Sequence, residues 1–202
     1  MRYLSALPAL ALSATIATSL GAQGAHGAHG AMRVAPSGQA ITEVVLTLVD
    51  SAARAAAKPS KIRIDYGQPH LRGRALLTDS LVPYDKAWRT GANGATMLTT
   101  DVDLVIGGSN VPKGTYVLQT MPSRTGWKLL VQKEMGATPM AAAMSYDPAL
   151  DIARIDMRQS TLSAPLESLT FWLIPSRQPG SPKGELRMAW GAVALSTDWS
   201  VK

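Results

Sequence analysis

An antiparallel, all-β, two-sheet sandwich is the fold that this chain predicts, and three observations carry it. Apolar residues alternate with polar ones along most segments, the connections between those segments are short and rich in turn residues, and no helical pattern is long enough to organise a domain. Seven or more half-polar strands close best as two packed sheets, each hiding one face and wetting the other. The chain has 202 residues, which is the length of a single domain, and a domain of this size buries about 70% of the surface its unfolded chain exposes.

The N-terminus reads differently from the rest. Met1-Arg2-Tyr3, the apolar run Leu4 to Leu20 and the small-residue exit Gly21-Ala22 predict a secretory signal peptide over residues 1–22. Ser13, Thr15, Thr18 and Ser19 dilute the run and weaken the competing reading as a permanent membrane anchor. Cleavage near Ala22 or Gln23 makes the mature protein exported, either periplasmic or secreted. No cysteine follows the run, so no lipid anchor is expected, and no later segment approaches the length of a transmembrane helix. Residues 23–38 then form a disordered Gly/Ala/His leader. It holds His26 and His29, but two histidines with no third ligand make a poor metal site. A single domain is expected over residues 39–202.

Within that domain the period is two. Lys61-Ile62-Arg63-Ile64-Asp65-Tyr66 places Ile62, Ile64 and Tyr66 on one face and Lys61, Arg63 and Asp65 on the other. The same rule holds for Trp127 to Val131, Ala153 to Arg158, Ser168 to Leu173 and Glu185 to Trp190. Ile62, Ile64, Trp127, Leu129, Val131, Leu186, Met188 and Trp190 are therefore the predicted core. Val102 to Ile106 and Thr115 to Met121 flank Gly107-Gly108-Ser109-Asn110 and Pro112-Lys113-Gly114, which predicts a hairpin between them. Helix is confined to Ser51–Lys58 and part of Ala141–Met144.

Composition narrows the chemistry. With no cysteine there are no disulfides, thiolate metal sites or thiol nucleophiles. The net charge is +6, and losing Arg2 with the signal leaves 19 basic against 14 acidic residues, or +5. That excess is spread over alternating segments and reads as solvated strand faces, so no dedicated nucleic-acid site is expected. No Gly-x-Ser-x-Gly elbow, His-Glu-x-x-His helix or phosphate-binding glycine loop occurs. His70, the only histidine expected inside the fold, cannot build a three-ligand zinc site alone. Asp101 with Asp103, and Asp147 with Asp151, could serve calcium or glycosidic chemistry, but solvated faces and turn caps explain them more simply.

The densest concentration of unusual residues runs from Tyr66 to Thr96. Arg89 offers a planar fork of donors, Asn93 donates, accepts and tolerates a left-handed backbone, Arg74 adds a second cation, and Tyr84 follows Pro83 outside any clean alternation. These four, Arg74, Tyr84, Arg89 and Asn93, are the candidate ligand-binding residues. The competing reading makes the segment an internal clamp, with Arg89 and Asn93 tying loop carbonyls while Trp88 plugs the fold.

Asp65-Tyr66-Gly67-Gln68-Pro69, Gly73-Arg74, Leu81-Val82-Pro83-Tyr84 and Trp88 to Thr96, followed by Pro112 to Tyr116, Trp127, Tyr146-Asp147 and Asp151, resemble the signature of a bacterial family, domain of unknown function 2911. The likeness spans roughly Lys61 to the C-terminus and departs from the pattern at Gly94 and at Met135-Gly136-Ala137. It implies a signal peptide and a β-rich domain, and assigns no activity, substrate or catalytic residue. The functional expectation is thus a non-enzymatic module binding a small polar ligand, glycan or partner protein, with no catalytic residue, metal or cofactor. The alternatives are a carbohydrate hydrolase using Asp/Glu and a purely structural protein.

Overall fold

The computed structural model describes residues 31–136 and 138–202. The expected signal peptide and the leader through Gly30, with His26 and His29, lie outside the described residues.

Among the described residues nine strands form: β1 (Ser37–Leu46), β2 (Ser60–Pro69), β3 (Thr96–Thr100), β4 (Leu104–Ile106), β5 (Ser109–Val111), β6 (Gly114–Pro122), β7 (Trp127–Lys133), β8 (Asp151–Pro175) and β9 (Lys183–Val201). Two short helices, α1 (Ser51–Ala56) and α2 (Pro139–Met144), stand where the Ala-rich segments predict them. The side chains of Asp50 and Thr138 accept hydrogen bonds from the third residue on, which caps their free N–H groups.

Every pairing is antiparallel, in the order β1-β2-β3-β6-β7-β8-β9-β4-β5. The all-β antiparallel class is therefore as expected. In hydrogen-bond terms, however, the strands make one continuous sheet rather than two separate ones. The cause is β8, whose first residues, Asp151–Met157, pair with β7, while Arg158–Pro175 pair with β9.

The β8–β9 ladder shifts register between Thr161 and Leu166 and again before Thr170, and Gly191 adopts a left-handed φ of 58°. Bulges of this kind bend a ribbon sharply. They bend this one until Val201 N–H donates to Pro182 O at 2.7 Å, joining the two ends of β9. The far half of β8 returns over β1 and β2. There Phe171 meets Tyr66 edge-to-face at 4.9 Å, Phe171 N–H donates to Tyr66 Oη at 3.1 Å and Leu173 N–H to Thr42 Oγ1 at 3.2 Å.

The core lies inside this folded sheet. All eight predicted core residues are at most 3% exposed, because strand parity fixes the face once one residue of the strand is placed. On the outer face of β1 and β2, Lys61 pairs with Glu43 at 3.0 Å and Arg63 with Asp65 at 2.7 Å. One connection differs from expectation. Gly107 and Gly108, both with positive φ, make a tight turn into the short strand β5, so β4 pairs with β5 and β9 while β6 pairs with β3 and β7. None of the described helices is long and apolar enough to cross a membrane.

Parity predicts opposite outcomes for neighbouring substitutions. Ile64→Ala leaves a cavity at a fully buried site and should cost about 2–5 kcal/mol in urea unfolding. Arg63→Ala removes a partly exposed ion pair on the outer face and should cost less than about 1 kcal/mol.

Candidate functional site

The segment from His70 to Ala95 links β2 to β3 without strands of its own, yet its last stretch, from Trp88 on, is largely buried. Thr90 and Thr96 are fully buried, and Trp88, Ala92 and Ala95 nearly so. Small residues make this possible. A Cβ on Gly67 would stand 1.8 Å from Ala92 O, and one on Gly91 would stand 2.8 Å from Thr96 Oγ1 and 3.0 Å from Gly67 O. Backbone therefore lies directly on backbone, with Ala92 N–H donating to Gly67 O at 3.1 Å.

On the other side Trp88 and Thr120 of β6 exchange both backbone hydrogen bonds, at 2.7 and 2.9 Å. The Thr90 hydroxyl lies 2.9 Å from Trp88 O and 3.0 Å from Thr120 Oγ1, and the Thr96 hydroxyl donates to Thr90 O at 2.9 Å. Thr90 is β-branched and holds a φ of 57°, a strained state that persists only where its surroundings over-determine it. Trp88 stacks on Trp190 at 5.7 Å with the rings 12° from parallel. This half of the segment is a stitch between β2 and β6.

The four candidate ligand residues sit around that stitch, each with a different neighbour. Arg74 is exposed and folds onto its own turn, donating to Leu71 O at 2.9 Å and His70 O at 2.8 Å. Tyr84 is half-buried beside the β6–β7 turn, with the Arg124 guanidinium 5.4 Å above its ring. Arg89 donates to Gly91 O at 3.2 Å and reaches Met144 Sδ of α2 at 3.4 Å. Asn93 is left-handed, with a φ of 63°, and bonds Ser37 Oγ at 3.2 Å. Gly94 lies under Pro139, whose Cβ would be 3.1 Å from an added Cβ, so α2 occupies the space a larger residue would need.

The carboxylates are mostly bound to backbone or cations. Asp101 accepts from Lys61 N–H and Asp103 from Lys113 N–H, each at 2.8 Å, which makes both turn caps. Asp147 caps a short 3-10 turn through Ala149 N–H at 2.9 Å. Asp151 is nearly buried and accepts from Arg154 Nε at 2.6 Å, Tyr146 Oη at 2.8 Å and Gln132 Nε2 at 2.9 Å. Burial, and then the bond to Asp151, push the Tyr146 hydroxyl pKa above its ordinary range. His70 shares a 2.8 Å hydrogen bond with Ser168 Oγ. Among the described residues, no three His, Asp or Glu side chains gather as a metal site.

A wider concavity lies elsewhere. A groove of about 800 Å³ runs along β4, β8 and β9, lined by Arg158, Asp198, Lys183, Glu185, Gln178 and Trp199 among others. Arg158 grips Asp198 with two parallel bonds of 2.9 Å, and this pairing, with a further contribution from Glu185, raises the guanidinium pKa and keeps it charged. Trp199 is almost fully buried, and its Nε1 has no hydrogen-bond partner among the described residues. Sequence reading missed this groove because Arg158 and Asp198 meet only through the β8–β9 register, 40 residues apart. The available signal was the outward parity of both residues within alternating segments.

The chain matches the family model described as Protein of unknown function (DUF2911) over residues 50–198, and it belongs to that family. No curated protein and no solved structure matches it.

The stitch has a measurable signature. Gly67→Ala forces a Cβ into the Ala92 carbonyl and should cost more than about 4 kcal/mol, the range of exceptional single substitutions. Thr96→Val strands the buried Thr90 carbonyl and should cost about 1–3 kcal/mol. Arg74→Ala should stay within about 0.5 kcal/mol of the native protein. Chemical denaturation of the three variants checks the ranking.

Proposed function

We propose that this protein is an exported, non-enzymatic binding module that holds a small polar ligand, foremost a glycan, in the groove along β4, β8 and β9. The groove itself carries the reading. Its volume falls within the roughly 300–1,000 Å³ of small-molecule sites, and it offers donors and acceptors from Ser176, Gln178, Lys183, Glu185 and Ser200, the chemistry that sugar hydroxyls require. Return of β8 over β1 and β2 supports a sandwich-like scaffold beneath it. Export rests on the apolar run Leu4 to Leu20 and the small-residue exit after it.

The hydrolase reading draws on Asp156, Glu185 and Asp198 in the groove lining. A glycosidase needs one carboxyl held protonated as general acid. Asp198 is instead paired with Arg158, Asp156 with Lys128 and Glu185 with Arg187, so each of these carboxylates is committed to a neighbouring cation.

A glycan-array screen followed by calorimetry tests the assignment. The expected result is a binder whose affinity falls roughly tenfold or more when Gln178→Ala and Lys183→Ala remove two hydrogen-bonding groups, and which is unaffected by Arg74→Ala or Tyr84→Phe. Release of product from a bound glycan would favour the hydrolase. A binder lost with Arg74→Ala and Tyr84→Phe but not with the groove variants would return the site to the Tyr66–Thr96 segment.

A further inference from the structure

A second cavity, of about 400 Å³, opens between the β1–α1–β2 connection and the end of β9. Its character is opposite to that of the polar groove. Leu48, Val49 and Pro59 line one side, and Val102, Pro182 and Val201 the other. Val102 and Val201 also pack against the main core, so the apolar lining is continuous with the interior. Leu48 and Val49 are exposed, and α1, beside them, buries none of its residues. Exposed aliphatics beside an apolar cavity leave surface that an apolar guest would remove from water.

The charge of the lining selects the guest. Arg54, in the last turn of α1, and Lys58 both line the cavity, and no carboxylate does. Neither cation makes an ion pair among the described residues, whereas seven other pairs of basic and acidic side chains do. The one acid at the start of α1, Asp50, is occupied as its N-cap.

We infer that this cavity is a binding site for a single-chain fatty carboxylate. The alkyl tail lies among Leu48, Val49, Val102 and Val201, and the headgroup lies between Arg54 and Lys58. An Arg fork matches a carboxylate with two parallel hydrogen bonds, and a mostly apolar cavity with a few convergent polar groups is the usual form of a small-molecule site. The site is independent of the polar groove, so either can fail without the other.

Titrating the ¹⁵N-labelled protein with sodium decanoate, read by two-dimensional NMR, tests the inference. Saturable shifts are expected at Leu48, Val49, Lys58, Val102 and Val201. Acetate, which lacks the tail, and decyltrimethylammonium, which reverses the charge, should produce no saturable shifts there. The double variant Arg54→Ala/Lys58→Ala alters only exposed side chains, so its spectrum should remain that of the folded protein, with decanoate affinity lowered roughly three- to tenfold. Shifts confined to other residues, equal binding of decyltrimethylammonium, or undiminished decanoate affinity in the double variant would overturn the assignment.

Discussion

Direct contact between the backbones of Gly67 and Ala92 is the constraint on which the rest of this fold depends. With 1.8 Å between Ala92 O and the place a Cβ would occupy, only glycine lets the chain return against β2 so closely. That return carries Trp88 onto β6 and its ring onto Trp190 of β9. A connection with no strands of its own thereby becomes part of the interior, its buried carbonyls met by the Thr90 and Thr96 hydroxyls and by the Thr120 N–H of β6. Replacement of any of these small residues by a larger one acts on the interior, which is packed too densely to absorb it.

The second organising feature is the bend of the β8–β9 ribbon. Straight strands of 25 and 19 residues would run far beyond a domain of this size, at roughly 3.3 Å per residue. Register shifts and the left-handed Gly191 turn the ribbon back on itself. Its inner face then supplies Phe171, Leu186 and Met188 to the core, while Arg158, Glu185 and Asp198 are left along one outer concavity. The polar groove is thus a by-product of how the sheet closes, and its residues come from both ends of the ribbon.

Much of this was legible in the sequence, for a physical reason: a strand's parity is a local property. Ile62 and Ile64, Trp127 to Val131 and Leu186 to Trp190 declare their inward faces without reference to any partner. The pairing order was not legible, because it depends on contacts between distant residues. β5 hides inside a run of turn residues, and the exposed stretch around Thr161 to Glu167 breaks the alternation of β8, so one continuous strand reads as two. The Tyr66–Thr96 segment stands out in the sequence, and its charged and aromatic members suggest a shared ligand surface; in the fold Arg74, Tyr84, Arg89 and Asn93 each have a different neighbour. The informative residues were the small ones between them, Thr90, Gly91, Ala92, Ala95 and Thr96, whose size permits burial.

Native-state hydrogen exchange at the amides of Trp88, Ala92 and Thr120 tests this account most directly. Each is hydrogen-bonded across the stitch to Thr120, Gly67 or Trp88. If the segment belongs to the interior, these amides exchange only through global unfolding, with an opening free energy equal to that of core amides such as Ile64 and Leu129 and the same dependence on denaturant. Exchange through a local opening of much lower free energy and little denaturant dependence, while the core amides stay protected, would contradict it and mark the segment as a mobile loop.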